Sequence, residues 1–438
     1  MESALDTGNT AWMLTASALV LLMIPGLAFF YGGMVRSKSV LNMLMMIMSA
    51  LFIVGILWVL YGYSMAFGDS YGQAGLLGNV TQYLGLEGLM VDDPKAGVPA
   101  MAFVAFQAMF ACLTVGLIAG AIADRTKFSA WLIFAGIWAT IVYFPVAHWV
   151  FNLNGDEGGW IYKLGVIDFA GGTAVHINAG AAALILAIVI GRRIGWPKTP
   201  MKPHNLTLVM IGAGLLWFGW FGFNAGSQIA ADNSASVVFL NTFVATCAAG
   251  LAWLATEKIR DGHATSLGAA SGVVAGLVAI TPACSAVSPL GAIAIGAIAG
   301  VLCALAVGMK YKFGFDDSLD VVGVHLVGGL VGTLLIGFLA TEAAPAGVNG
   351  LFYGGGADQL GKQAIGAGAV LGYSLIVTLI IALIIKAIIG FRIDEDEEVS
   401  GIDLAEHAES AYVLGESGGG GIFAGVGHAA RIKSEETS

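Results

Sequence analysis

Two histidines stand in stretches that are otherwise too apolar to dissolve a charge. His176 lies in Asp168–Gly180, DFAGGTAVHINAG, which runs on through Ile190 as continuous apolar sequence. His325 lies in Asp320–Gly329, DVVGVHLVGG, with an acid at the head of a second apolar run. An ionisable side chain at membrane depth is costly unless it faces a partner or a path, so it marks a functional site. A lone histidine of this kind can be satisfied by its helix neighbours. Two at equivalent places in two halves of a chain point instead to a repeat-built transporter with its path near the midplane.

The elements that must position these residues are membrane helices. Apolar residues make up 58% of the 438 and charged residues only 11%, with a mean hydropathy of +0.84. A soluble domain would carry about a quarter charged residues, so the composition predicts an all-α polytopic membrane protein. The 63 glycines suit close helix contact in lipid. Cys112, Cys247, Cys284 and Cys303 show no pairing or metal-ligand spacing. No cleavable signal precedes the first apolar run, since Glu2 and Asp6 give an acidic start that should stay outside.

Eleven spans are predicted: 10–32, 40–67, 99–123, 129–151, 168–191, 206–228, 236–256, 264–282, 288–308, 319–340 and 363–391. One set of loops carries Arg36, Lys38, Arg125, Lys127, Arg192, Arg193, Lys198, Lys202, Lys258, Arg260, Lys310 and Lys312, the other only Lys95, Lys163 and Lys362. The first set is therefore expected in the cytoplasm, with the N-terminus outside and the C-terminus inside. The spans divide into a repeat over about 10–191, a second over about 206–340, and a final helix. Because each repeat has five spans, the two must be inverted, which brings His176 and His325 face to face. The last span, about 29 residues or roughly 43 Å of helix, exceeds the bilayer core and should tilt across the outside of the bundle. A transporter domain over 1–391 is then followed by a tail, 392–438, with the acid run Asp394–Glu398 and a Gly-rich end.

A second constellation is aromatic. The sixth span reads WFGWFGFNAGS from Trp217 to Ser227, and the third offers Phe106 and Phe110 one turn apart. Phe106, Phe110, Phe223 and the Ser227 hydroxyl could meet at one extracellular mouth, where ring faces attract a small cation and the hydroxyl accepts its hydrogen. Beyond that mouth the lining candidates are apolar except for the imidazoles. A bare ion would meet the full cost of leaving water, whereas a neutral hydrogen-bonding molecule would not. A solute that sheds a proton fits both halves, and ammonium is the smallest.

DFAGGTAVHINAG, WFGFNAGS, AFQAMFACLT, FFYGG at Phe30, ITPAC at Thr281, DDSLDVVGVH from Asp316 and GIDLAEHAESAY from Gly401 together resemble the ammonium transporter family, Amt/Mep/Rh, on the bacterial Amt side. The resemblance covers residues 10–412. It implies a homotrimer of eleven-helix subunits in the plasma membrane, each with its own pore. Phe106, Phe110 and Ser227 resemble the family's recruitment site, and Phe110 with Phe223 its phenyl gate. His176 and His325 look like the twin histidines, and Asp168 like the acid that shapes the vestibule. Tyr143, Trp220 and Thr281 match pore or vestibule positions, and Phe30 one on the cytoplasmic side. Where the family usually places a tryptophan in the cage, this chain has His148-Trp149-Val150-Phe151, with Phe151 at that place and Trp149 two residues before it. The resemblance further implies closure by a trimeric PII-type signalling protein, with the tail residues Gly401, Asp403, His407 and Tyr412 taking part.

The function implied is transport of ammonium, deprotonated at the gate and carried as ammonia past the histidines, with the proton either following or staying outside. An ammonium sensor is the alternative of another class, and the tail has no recognisable output domain. An Rh-like neutral gas channel is the rival within the family. An enzyme is not expected, no cofactor or metal set is called for at ligand spacing, and the partners implied are lipid, ammonium and like subunits rather than nucleic acid.

Overall fold

The polar residues that punctuate the apolar runs are helix caps. The side chains of Asp6, Asn205, Asp232, Thr265 and Ser288 each accept a backbone N–H from the first turn of the helix that follows. Gly262 and Gly314 end helices in the left-handed region. In the computed structural model, which describes residues 5–91 and 97–412, these signals help bound ten apolar helices long enough to cross a membrane and one shorter apolar helix. They are α1 Thr7–Met34, α2 Val40–Phe67, α3 Ala100–Ile122, α4 Phe128–Phe151, α5 Gly172–Ile190, α6 Leu206–Gly226, α7 Asn233–Asp261, α8 Ser266–Ile280, α9 Pro289–Phe313, α10 Val322–Leu339 and α11 Asp358–Ile388. Glu2, Lys95 and the tail beyond Tyr412 lie outside the described residues.

The count agrees with the sequence and some boundaries do not. α7 is longer than 236–256 because Asp232 and Gly262, the residues that start and stop it, stand outside the apolar run. α8 has 15 residues, about 22 Å of helix and short of a ~30 Å hydrocarbon core. Pro282 stops it, and the chain finishes the crossing as the turns Thr281–Val287. The fifth and tenth helices begin at residues 172 and 322, inside the spans expected from 168 and 319, so their acids lie in the loops before them.

The two halves are related by inversion, and hydrogen bonds at the two broken ends show it. The chain entering α5 meets the end of α8, where the Phe169 N–H donates to the Pro282 carbonyl at 3.2 Å. The chain entering α10 meets the end of α3, where the Ser318 and Leu319 N–H groups donate to the Ala121 and Gly120 carbonyls at 3.2 and 3.1 Å. α1 and α6, the first helices of the halves, cross at small residues. A Cβ on Gly212 would stand 2.3 Å from the Phe30 nitrogen, and one on Gly33 2.8 Å from the Val209 nitrogen. α11 lies along α4, α5 and α10. It is tied there by Trp138 Nε1 to Thr378 Oγ1 at 2.9 Å, Ser374 Oγ to the Asn178 carbonyl at 2.8 Å and Gln363 Nε2 to the Thr333 carbonyl at 3.2 Å.

At the face carrying the basic loops, a buried ion network locks four connections together. Arg193 bonds Asp316 through Nε at 2.9 Å and Nη2 at 2.8 Å, and Asp124 through Nη1 at 3.1 Å. Arg36 stands 3.3 Å from Asp124, and Arg125 donates to the Asp316 carbonyl at 2.7 Å. The tail is docked on this platform rather than solvated. Ile393 N–H donates to the Arg125 carbonyl at 3.1 Å. Glu398 from the acid run is buried, paired with Arg392 at 2.6 Å, and accepts the Ile194 N–H at 2.7 Å. Asp403 caps α2 by accepting the Leu41 and Asn42 N–H groups at 3.0 and 2.8 Å. His407 bonds the Asn42 side chain at 3.0 Å, and the Tyr412 hydroxyl bonds His204 at 2.8 Å. At Gly401, in the left-handed region, a Cβ would meet that of Lys38 at 2.9 Å.

Candidate functional site

Four helices contain a widened π-helical turn: Trp58–Gly62 in α2, Ala139–Tyr143 in α4, Gly172–Ile177 in α5 and Val322–Leu326 in α10. Such turns are rare and gather at functional sites. Both histidines sit in one. The α5 turn is started by Gly171 at φ +114°, open to glycine but strained for other residues. Asp168 then anchors it. Its carboxylate accepts the N–H groups of Gly171 (2.8 Å), Gly172 (2.6 Å), Thr173 (2.8 Å) and Ala174 (3.2 Å), and the Thr173 hydroxyl. The negative group thus satisfies the unpaired donors of a helix start and its dipole.

In α10 the matching anchor is Asp317, not Asp320. Asp317 accepts the Val321 and Val322 N–H groups at 3.1 and 2.7 Å, whereas Asp320, at φ +64°, turns away to pair with Lys310 at 2.7 Å. Each anchoring aspartate stands eight residues before its histidine, a spacing that could have identified Asp317 from the sequence.

The histidines meet because glycine follows each by four residues. A Cβ on Gly180 would stand 2.5 Å from the Leu326 nitrogen of α10, and one on Gly329 3.2 Å from the His176 Cβ of α5. With the helices so close, the Nδ1 atoms of His176 and His325 stand 3.2 Å apart and the rings lie 24° from parallel. Both residues are buried, and His176 Nε2 finds no partner among the described residues. Trp220 stacks on His176 at 5.4 Å and is held by its Nε1–H to Thr281 Oγ1 at 2.8 Å. The Thr281 hydroxyl itself donates to the Leu277 carbonyl at 2.7 Å.

Toward the face opposite the basic loops, Phe223 lies 6.2 Å from His176, and beyond it Phe110 stacks on Phe223 at 4.0 Å and 11°. The outer side of Phe110 forms the floor of an open cavity of about 840 Å³, with Phe103, Gln107, Phe151, Asp168 and Ser227 among its walls. Phe151 meets Phe110 edge-on at 6.2 Å. The Ser227 hydroxyl donates to the Phe223 carbonyl at 2.8 Å. Its proton being used, the oxygen keeps its lone pairs for the cavity.

Two expected residues, Phe106 and Trp149, stand off the cavity wall. Phe106 is wholly buried behind Phe110, 4.9 Å from it, rather than on the cavity wall. Trp149 points away from the cavity, packed on Tyr373 at 4.8 Å with its indole N–H on the Leu76 carbonyl. Two residues along a helix turn a side chain through some 200°, so it cannot share the direction of Phe151. Phe30 is buried in the α1–α6 crossing against Tyr31. Tyr143 belongs to the α4 π-turn, fully buried, with its hydroxyl unpartnered among the described residues. Phe103 and Gln107 were not foreseen, although Phe103, Gln107 and Phe110 share one helical face.

An inverted bundle of eleven apolar helices, with paired imidazoles in its middle behind an aromatic stack, is the architecture of a channel-like membrane transporter. The family model described as the Ammonium Transporter Family matches residues 11–412, and the chain belongs to that family. It is 64% identical to an ammonium transporter of Mycobacterium bovis over 93% of this chain and 90% of the relative. It is 48% identical to an ammonium transporter of Aquifex aeolicus over 94% and 95%. Among solved structures it is similar to Mep2 of Saccharomyces cerevisiae, with a TM-score of 0.83 and 33% identity over 90% of this chain and 89% of that one. It is also similar to a sensor Amt protein, at 0.85 and 30% over 91% and 98%.

Proposed function

We propose that the protein carries ammonium inward across the plasma membrane, with the basic loops in the cytoplasm, and that it does so by separating the proton from ammonia. The observation that carries this reading is the file of Phe110, Phe223, Trp220, His176 and His325, in which a stacked aromatic pair precedes two bonded imidazoles in an otherwise apolar interior. Ammonium is drawn to the outer cavity by the ring faces of Phe110 and Phe151 and the Ser227 lone pairs. It cannot pass Phe110 and Phe223 as an ion, since burying an unpaired charge costs far more than burying a neutral hydrogen-bonding molecule.

The imidazole pair suits what remains. Between two neutral rings one proton joins the Nδ1 atoms, so one ring keeps a bare Nε2 and the other carries Nε2–H. The pair therefore offers one acceptor and one donor to a molecule that has both functions, as ammonia does. The same shared proton gives the pair a route for relaying charge. Like subunits are proposed to assemble as a trimer, each with its own path, and a PII-type protein to close the cytoplasmic exits with the docked tail taking part.

The test is current from purified protein in liposomes after ammonium jumps, compared with His176→Ala/His325→Ala. Loss of current in the variant is expected, with the helical fold unchanged by circular dichroism. Full current in a folded double variant would remove the histidines from the mechanism.

A further inference from the structure

One wall of the outer cavity is chain without secondary structure of its own. Residues 166–169 run from the short helix Trp160–Leu164 toward the start of α5, and Ile167, Asp168 and Phe169 all line the cavity. The buried backbone groups of such a stretch need partners from elsewhere. At Phe169 the partner is the Pro282 carbonyl, at 3.2 Å. At Ile167 it is a side chain of α11. Gln363, wholly buried, accepts the Ile167 N–H through Oε1 at 2.8 Å and donates through Nε2 to the Ile167 carbonyl at 2.7 Å. Its Nε2 also donates to the Thr333 carbonyl of α10 at 3.2 Å, and its Oε1 accepts Gln359 Nε2 at 2.9 Å. Both donors and both acceptor sites of the amide are therefore engaged. Gly366, one turn further along α11, permits the close approach, since a Cβ there would stand 2.9 Å from Val166 Cγ1.

The peptide that Gln363 grips stands immediately before Asp168, the carboxylate that lines the cavity and anchors the turn carrying His176. Its other contact, Thr333, lies on the helix that carries His325. We infer that Gln363 is a positioning residue of the transport path, one amide that sets where the Asp168 carboxylate stands at the outer cavity and ties the two histidine-bearing helices to each other. A leucine there would leave the Ile167 N–H and carbonyl buried without partners, and the segment can relieve that only by moving. Asp168 moves with it, and so does the negative charge that faces an arriving cation. The effect on recruitment rests on the ammonium reading of the cavity, whereas the grip on Ile167 does not.

The test compares Gln363→Leu with Gln359→Leu, which removes a bond on the same face of α11 but none to Ile167. Amide exchange in the full-length protein, read by mass spectrometry, should be about tenfold faster at residues 171–174 in Gln363→Leu and close to wild type in Gln359→Leu. Ammonium currents in liposomes should show the half-saturating concentration raised about fivefold in Gln363→Leu and unmoved in Gln359→Leu. A merely structural loss would lower maximal current in both variants and leave both midpoints alone. Gln363→Asn, the same amide one methylene short, should shift exchange and midpoint in the same direction, and it stands in if the leucine variant does not fold. Wild-type exchange at 171–174 in a folded Gln363 variant would overturn the inference, as would a wild-type midpoint or equal shifts in the Gln363 and Gln359 variants. A wild type without ammonium current would refute the transport reading, and exchange alone would then decide the grip.

Discussion

A phenyl ring at Phe151 holds a cation less well than an indole would, and the 840 Å³ cavity beside it has room for the larger ring. Phe151→Trp should strengthen cation–π attraction by about 0.5–1 kcal/mol, lowering the half-saturating ammonium concentration roughly two- to fivefold at constant maximal current. A concentration series of currents measures it, and an unchanged midpoint would exclude Phe151 from recruitment. Asp168 and Asp317 differ in how many donors they satisfy, which separates two otherwise equivalent substitutions. An amide keeps one acceptor oxygen and presents an NH2 to the other donors. Asp168→Asn should therefore cost about 3 kcal/mol and visibly lower the melting temperature, and Asp317→Asn should cost less. The paired histidines were readable because a charge-capable residue is conspicuous in apolar sequence. Asp317 and Trp149 were not read correctly, since nearness in sequence was taken for nearness in space: Asp320 is closer to His325, and Trp149 is adjacent to the cage residues but faces away from them.

Caps and ion pairs at the basic face decide how the elements hold together. Burial alone would raise the Asp124 carboxyl, but Arg193 and Arg36 outweigh it and hold the group below its ordinary value of 3.8; Asp316 is lowered likewise, against its own burial, by Arg193 and Arg125. For a carboxylate so depressed, the stabilisation is complete above the unfolded value of about 3.8 and is lost as pH falls through the lower folded value. The contribution of this pair, read as the difference in melting temperature between wild type and Asp124→Asn, should therefore stay flat from neutrality to about pH 4 and shrink below it. In Asp124→Asn the melting temperature should already be low at pH 7, because a removed partner leaves buried Arg193 part-compensated at a cost of about 3–5 kcal/mol. A variant as stable as the wild type at pH 7 would show the network to be dispensable. Asp403→Ala should remove the α2 cap at about 1 kcal/mol and speed amide exchange at Leu41 and Asn42. Helix number and order were readable from hydropathy and charge, because the bilayer fixes both length and the placing of basic loops. The short α8 and the late starts of α5 and α10 were not. Hydropathy does not register that an apolar segment has left the helix to be satisfied by a neighbouring broken end.

Across the whole molecule, the docked tail joins α2, the α3–α4 and α5–α6 connections and the foot of α11 into one platform. Deleting 394–438 should loosen that platform, seen as faster exchange in those connections and lower ammonium current; identical exchange and current would show that the tail is merely carried. The inverted relation of the halves could be deduced from an odd number of spans. The glycines that let the histidines meet could not be told in advance from the many others, because each acts only through the helix that crosses it.

That inversion limits what the conduit can do on its own. On the proposed path each imidazole sits in a carboxylate-anchored, widened turn followed by a close glycine, so the bonded pair itself carries little sense of direction. Rectification has to come from outside it: from the aromatic cavity at one mouth, from whatever closes the other, and from the gradients across the membrane. Vesicles loaded with ammonium and diluted into ammonium-free buffer should accordingly show outward flux that depends on the same two histidines.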